Sequence, residues 1–228
     1  MKTRLYYMTK LDYAKRILND GRFKLARIDQ ANDPFELNGA VMGDKIARRS
    51  FRAVYDHWAK SVGMLCTSRS WESPVMWAHY ADTHMGVCIG FDVLDAEAHQ
   101  VKYVAKRLPG LLSSVHANDP RASAAIKQIL ITKYRDWSYE REWRIFAPLS
   151  ADNHESGLYF VNLDPCFQIR EVILGCRCPI TPKSFAAAIQ APTSEIEIFR
   201  ARPAFNSFKI VRQQAEPAEF IYPNTRAA

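Results

Sequence analysis

The chain has no apolar run long enough to span a bilayer, and its N-terminus, Met1 to Lys10, turns polar within a few residues instead of entering the apolar stretch of a signal peptide. Secretion and membrane insertion are therefore disfavoured, and a cytoplasmic protein with no membrane partner is expected. No Walker A sequence, G-x-G-x-x-G or G-x-S-x-G occurs, which removes the commonest ATPase, dinucleotide-fold and α/β-hydrolase readings. The 5 cysteines are odd in number and follow no repeating frame, as expected for reduced thiols rather than a disulfide framework. Cys176-Arg-Cys178 has the wrong spacing for zinc and no second pair follows it, so no metal is expected. Internal repeats and low-complexity linkers are missing too, which leaves one domain as the default for 228 residues.

What is present is ordinary globular composition, 48% hydrophobic and 24% charged, enough to bury a sizeable core. The formal net charge of +7 is unevenly spread: residues 1–60 hold 13 Lys and Arg against 7 Asp and Glu. An anionic partner, either a small molecule such as a dinucleotide or a nucleic acid, should be met there. Spare surface lysines kept for solubility are the plain alternative.

Periodicity divides the chain into alternating short elements. Leu5 to Met8 reads as a strand, Thr9 as the cap of a helix carrying Leu11, Ala14, Ile17 and Leu18 on one face, and Asp20-Gly21 as its stop. Strands are expected at 22–26, 64–67, 86–91, 101–104, 142–146, 157–162, 169–174, 195–201 and 208–212, and helices at 44–60, 73–82, 122–134 and 182–190. Asn32-Asp-Pro-Phe-Glu36 is a turn, because the residue before proline is pushed out of the helical region. The sum is an α+β fold, a single domain over 1–212 with a mixed, mostly antiparallel sheet, followed by a loosely ordered tail over 213–228.

Two constellations are dense enough to suggest chemistry. Met76 to Gly86 gathers Trp77, His79, Tyr80, Asp82 and His84 at a helix end; these residues either form a binding wall or serve packing and capping. In Glu140-Arg-Glu142 a strand would point both carboxylates to one face, where they repel unless a cation or a substrate group lies between them. One reading is acid/base or oxocarbenium chemistry; the other is a solvent-facing edge whose glutamates pair with Arg141, Arg144 or a lysine of a neighbouring strand. Cys66-Thr-Ser68 ends an apolar strand and either orients a ligand hydroxyl or satisfies the strand end. The Asn32 turn likewise either touches a ligand or holds itself.

Leu5-Tyr-Tyr-Met-Thr, Asn32-Asp-Pro-Phe-Glu36, Leu65-Cys-Thr-Ser68, Met76-Trp-Ala-His-Tyr-Ala-Asp82, Trp137-Ser-Tyr-Glu-Arg-Glu-Trp-Arg144 and Glu171-Val-Ile-Leu-Gly175 together resemble the bacterial and phage domain-of-unknown-function family 2971, over about residues 4–176. The order of Arg4 or its neighbouring tyrosines, then Cys66-Thr67-Ser68, then Glu140-x-Glu142 is also similar to the ADP-ribosyltransferase superfamily, whose members split NAD at the nicotinamide–ribose bond; Cys66 stands where that family's first serine would be. This second resemblance implies a split sheet with flanking helices, NAD as substrate, and a toxin or defence effector modifying a protein or nucleic acid. It implies Glu142 at the ribose 2′-hydroxyl, Glu140 positioning or deprotonating the acceptor, and Ser68 and Thr67 buttressing Glu142. Tyr80 or Trp77 would stack on nicotinamide, Arg4 would face a phosphate, and Tyr6, His79 and Asn32 would complete the binding set. A nucleic-acid-binding protein or metal-dependent nuclease built on the N-terminal charge and on His79, Asp82 and His84 is the alternative, and a non-catalytic regulatory module the third reading.

Overall fold

The computed structural model describes every residue except 31, 32, 34, 36, 37, 111–119, 164, 191 and 224–228. The first half of the chain runs β1 (Lys2–Thr9), α1 (Leu11–Asp20), β2 (Arg22–Arg27), α2 (Lys45–Ser61), β3 (Val62–Ser68), α3 (Pro74–Tyr80), β4 (Val87–Leu94), β5 (Ala98–Gln100) and β6 (Lys102–Val104). The second half adds α4 (Pro120–Leu130), β7 (Thr132–Tyr134), β8 (Glu142–Pro148), β9 (His154–Glu155), β10 (Leu158–Asn162) and β11 (Phe167–Leu174). It closes with α5 (Pro182–Ala186), β12 (Ile196–Pro203), β13 (Ile210–Arg212) and β14 (Glu219–Ile221).

Twelve strands form one mixed, mostly antiparallel sheet, and β6 and β7 pair separately in parallel. The fold class read from the sequence is the one observed, a single α+β domain. One arm of the sheet is β1, β4, β11 and β12, in which β1 and β4 pair along their whole lengths from Lys2↔Leu94 to Thr9↔Val87. The other arm is β3 with β8 and β5 along one edge and β2, β10 and β9 beyond the other. The arms meet at one bridge, Tyr6↔Ser68, while β3 meets β2 only at Gly63 and Met64. Among the described residues, Leu65 to Thr67 therefore have no strand partner on that side, and the sheet opens into a notch between β1, β2 and β3. The twelve strands nonetheless remain one sheet, joined across the notch by these bridges.

Local sequence explains most of the elements. Ala14, Ile17 and Leu18 line the buried face of α1, and Gly21 at φ 65° ends it. Asp44, Ser73 and Thr181 each accept a backbone N–H at the start of α2, α3 and α5, and Pro74 and Pro182 occupy the first turn of the last two. The main core lies between one face of the sheet and α1 and α5, where the rings of Phe23, Phe91 and Phe167 sit 5.1–5.7 Å apart. A second cluster around Met8, Trp77, Cys88 and Phe199 covers the opposite face.

Several expectations need correction. The cap of α1 is Lys10 with no side-chain bond; Thr9 instead remains in β1, opposite Val87. The helix expected over 122–134 ends at Leu130, because Thr132 to Tyr134 find a strand partner in β6. The helix expected to Gln190 stops at Ala186. Beyond 213 the chain is tied back: Glu219 to Ile221 pair with Ile198 to Ile196, and Glu216 forms an ion pair with Arg200 at 2.5 Å. Asn32 lies outside the described residues.

Candidate functional site

The notch floors a cavity of about 290 Å³, lined by Tyr6, Tyr7, Ser68, Tyr80, Glu140 and Glu142 among others. Strand register assembles it. Tyr6 of β1 lies opposite Ser68 of β3, and Ser68 lies opposite Glu142 of β8, so the three fall in one row across adjacent strands. Glu140 is not in that strand, contrary to expectation. It ends a 3-10 turn over Arg135–Glu140, and Arg141 at φ 46° turns the chain from there into β8.

The two carboxylates nevertheless converge, because a cation stands between them. Lys133, buried on β7, places its Nζ 2.6 Å from Glu140 Oε2 and 3.1 Å from Glu142 Oε2. Arg144, with no exposed surface, donates from Nε to Glu142 Oε1 at 2.8 Å and from Nη2 to Oε2 at 3.0 Å, and its Nη1 donates to the Leu130 carbonyl at 2.6 Å. The Tyr80 hydroxyl donates to Glu140 Oε1 at 2.5 Å. Four buried charges thus sum to zero, which is the condition for holding ions out of water. The pairing with Arg144 and a neighbouring strand's lysine matches the second reading of the Glu140-x-Glu142 motif, except that both glutamates are buried at the cavity floor and do not face solvent.

The environments drive the two acids apart. Burial pushes the Glu140 carboxyl up from its ordinary value, and Lys133 and Tyr80 only partly offset it. Burial would raise Glu142 as well, but Arg144 and Lys133 overcome it and hold that carboxyl at about 2. Glu142 is therefore a fixed anion and Glu140 the better proton carrier. Two carboxylates with opposed shifts in one cleft are the usual arrangement for divided acid/base roles. The three bonds to Glu142 leave one of roughly four carboxylate acceptor positions for a ligand.

Other expected site residues divide. Tyr6 lines the cavity, and burial followed by the nearby Glu171 raises its hydroxyl to about 12. Thr67 also lines it, but its hydroxyl donates to the Trp143 carbonyl at 2.8 Å. Ser68 bonds the backbone carbonyl of Glu140 at 2.6 Å, so it fixes the turn bearing Glu140 and does not buttress Glu142. Arg4 is committed elsewhere, to Asp92 at 2.5 Å and Glu171 at 2.7 Å, and cannot face a phosphate while those pairs stand. Trp77 is fully buried, donates to the Trp71 carbonyl at 2.6 Å and stacks on His84, so it packs the core and offers no face to a ligand. His79 is exposed beside Tyr139 and does not line the cavity, and it is not brought together with His84. Sequence reading missed Lys133, whose signal was slight: a lysine in an element expected to be helical.

Fold and site together define an α+β domain with a mixed, mostly antiparallel sheet and a buried carboxylate pair beside the notch in it. Residues 76–145 match a family described as "protein of unknown function (DUF2971)", and the chain carries that domain there. The matched stretch contains Tyr80, Lys133, Glu140, Glu142 and Arg144, the whole of the buried network. No curated protein and no solved structure matches the chain.

Proposed function

We propose that the notch is the active site of an enzyme that breaks the nicotinamide–ribose bond of NAD and transfers the ADP-ribosyl unit, in the manner of the ADP-ribosyltransferases that the chain resembles. The observation that carries this reading is the row Tyr6, Ser68, Glu142 across three adjacent strands at the floor of the cavity, with a second carboxylate of opposite pKa shift beside it. Bond cleavage leaves its electron pair on nicotinamide and positive charge on the ribose. A carboxylate that stays ionised at every working pH is suited to that charge. The acceptor or a water attacks C1′, and its proton passes to Glu140, whose raised pKa makes it the more basic of the two.

The lining agrees with this substrate. Tyr6, Tyr7 and Tyr80 with Met64 and Met76 give aromatic and thioether surface against which a cationic pyridinium is favourable. With Arg4 engaged, Lys24 at the exposed end of the same lining takes the diphosphate in this reading. The purified protein incubated with NAD should release nicotinamide, followed by chromatography, and NAD should raise its melting temperature. Tyr80→Phe, which frees Glu140 Oε1, should slow release while leaving the melting temperature in the absence of NAD within a few degrees. Neither release nor thermal shift with the wild-type protein would remove this reading.

A further inference from the structure

Lys133 lines two cavities. The second, of about 300 Å³, lies over the β6/β7 pair and is walled by Phe35, Lys106, Arg107 and Tyr134 among others. Its rim is held by backbone bonds, from Leu108 N–H to the Gly39 carbonyl at 2.7 Å and from Val41 N–H to the Leu108 carbonyl at 2.9 Å. No Asp or Glu occurs among its described lining residues, whereas Lys106 and Arg107 are both exposed. Two large aromatic rings stand open beside them: Phe35 is 60% exposed and Tyr134 47% exposed, with the Arg107 guanidinium 5.2 Å over the Phe35 ring. Asn38 lines this cavity and also a neighbouring depression where Arg48 and Arg52 of α2 stand with Asp29, Asp33 and Asp56, so the acid-free positive surface is confined to the cavity over β6 and β7.

Cations without acids attract a phosphate backbone, and exposed aromatic faces beside them stack bases that are not already stacked on a partner strand. We propose that this second cavity binds unpaired nucleotides of a single-stranded nucleic acid, and that such a strand is the acceptor of the ADP-ribosyl unit. The acceptor role rests on the function proposed above; the binding does not. In the transfer, an oxygen or nitrogen of the strand bonds to ribose C1′ as the bond to nicotinamide breaks. The electron pair leaves on nicotinamide, and the acceptor's proton passes to the Glu140 carboxylate. The cations of this cavity, Lys106, Arg107 and Lys133, all lie outside residues 1–60, where the excess of Lys and Arg led us to expect an anionic partner.

The test is fluorescence anisotropy of the full chain with labelled, mixed-sequence single-stranded DNA and RNA oligonucleotides. Binding should weaken steeply with salt. The paired change Lys106→Glu and Arg107→Glu should reduce affinity about tenfold or more and flatten the log–log salt slope by about 1.4, the share of two phosphate contacts on a single strand. Tyr134→Ala should weaken binding while leaving that slope unchanged, because stacking releases no counterions. All three residues are exposed, so melting temperatures should stay near wild type. Equal affinity for a duplex of the same sequence, equal competition by polyglutamate, or charge-reversed protein binding within twofold of wild type would each overturn the proposal. Nicotinamide release without oligonucleotide binding would sink this inference alone, and oligonucleotide binding without nicotinamide release would sink only the proposed function and the acceptor role.

Discussion

Lys133 is the residue on which the site depends. Its ammonium sits between two buried carboxylates, so removing it leaves like charges facing one another without solvent. Lys133→Met should cost about 3–5 kcal/mol of stability by urea denaturation. Glu140→Gln in the same protein should restore part of that loss, a coupling that a double-mutant cycle would read directly. Acid should act through Glu142. Its folded pKa of about 2 lies below the ordinary carboxylate value, so the stability it contributes is fully present above about pH 4.5 and is lost as pH falls through about 2. Glu140 has the opposite sign: its folded pKa is raised, so the folded state gains from its protonation and that gain fades as pH rises through the folded pKa. Urea midpoints taken from pH 7 to pH 2.5 should therefore fall more steeply toward acid for wild type than for Glu142→Gln. Much of this was legible beforehand. Two glutamates at i and i+2 demanded a cation, and Arg144 was a natural one. Lys133 was hidden because the stretch bearing it was expected to be helical, whereas it is a strand from which the side chain reaches the acids only 7 and 9 residues on.

At the level of elements, caps and periodicity were read well where they were local. Gly21, Asp44, Ser73 and Thr181 mark helix ends through bonds they make to their own neighbours. Long-range pairing decided the rest. Thr132 to Tyr134 left the helix for a strand because β6 offered partners, and Glu140 left the strand because Arg141 adopts a left-handed conformation that no proline or glycine announces. Gly86 sits where two other backbone segments pass close by. A Cβ there would strike the Thr9 carbonyl oxygen and come within 2.8 Å of the Ala81 carbonyl carbon, both backbone atoms that cannot swing away. Gly86→Ala should destabilise by roughly 1–3 kcal/mol or more, visible as a lowered melting temperature. The exit from α3 carries strain of a different kind: Asp82, Thr83 and His84 all have positive φ, at 48°, 51° and 70°. A β-branched residue is poorly suited to that region. Exposed Thr83 replaced by Asn, which tolerates it, should raise stability by about 0.5–1 kcal/mol.

For the whole molecule, the decisive feature is a sheet that fails to close. If β3 had paired with β1 or β2 along its length, Leu65 to Thr67 would be covered and no cavity would form over Ser68 and Glu142. The single bridge at Tyr6 and Ser68 both holds the arms together and leaves the gap. Periodicity foretold one α+β domain with a mixed, mostly antiparallel sheet, but not which strands would pair. It could not foretell that Arg4 would be engaged by Asp92 and Glu171, since that contact joins three strands far apart in sequence. The claim that organises all of this is that the fixed anion at Glu142 stabilises charge on a ribose. Its most direct measurement is the turnover number for nicotinamide release from NAD by wild type and Glu142→Gln, both checked for a retained fold by near-ultraviolet circular dichroism. The account predicts steady release by wild type and a loss of about a hundredfold or more in the folded variant, the scale expected for removing a preorganised electrostatic partner. Release by a folded Glu142→Gln protein at the wild-type rate would contradict it.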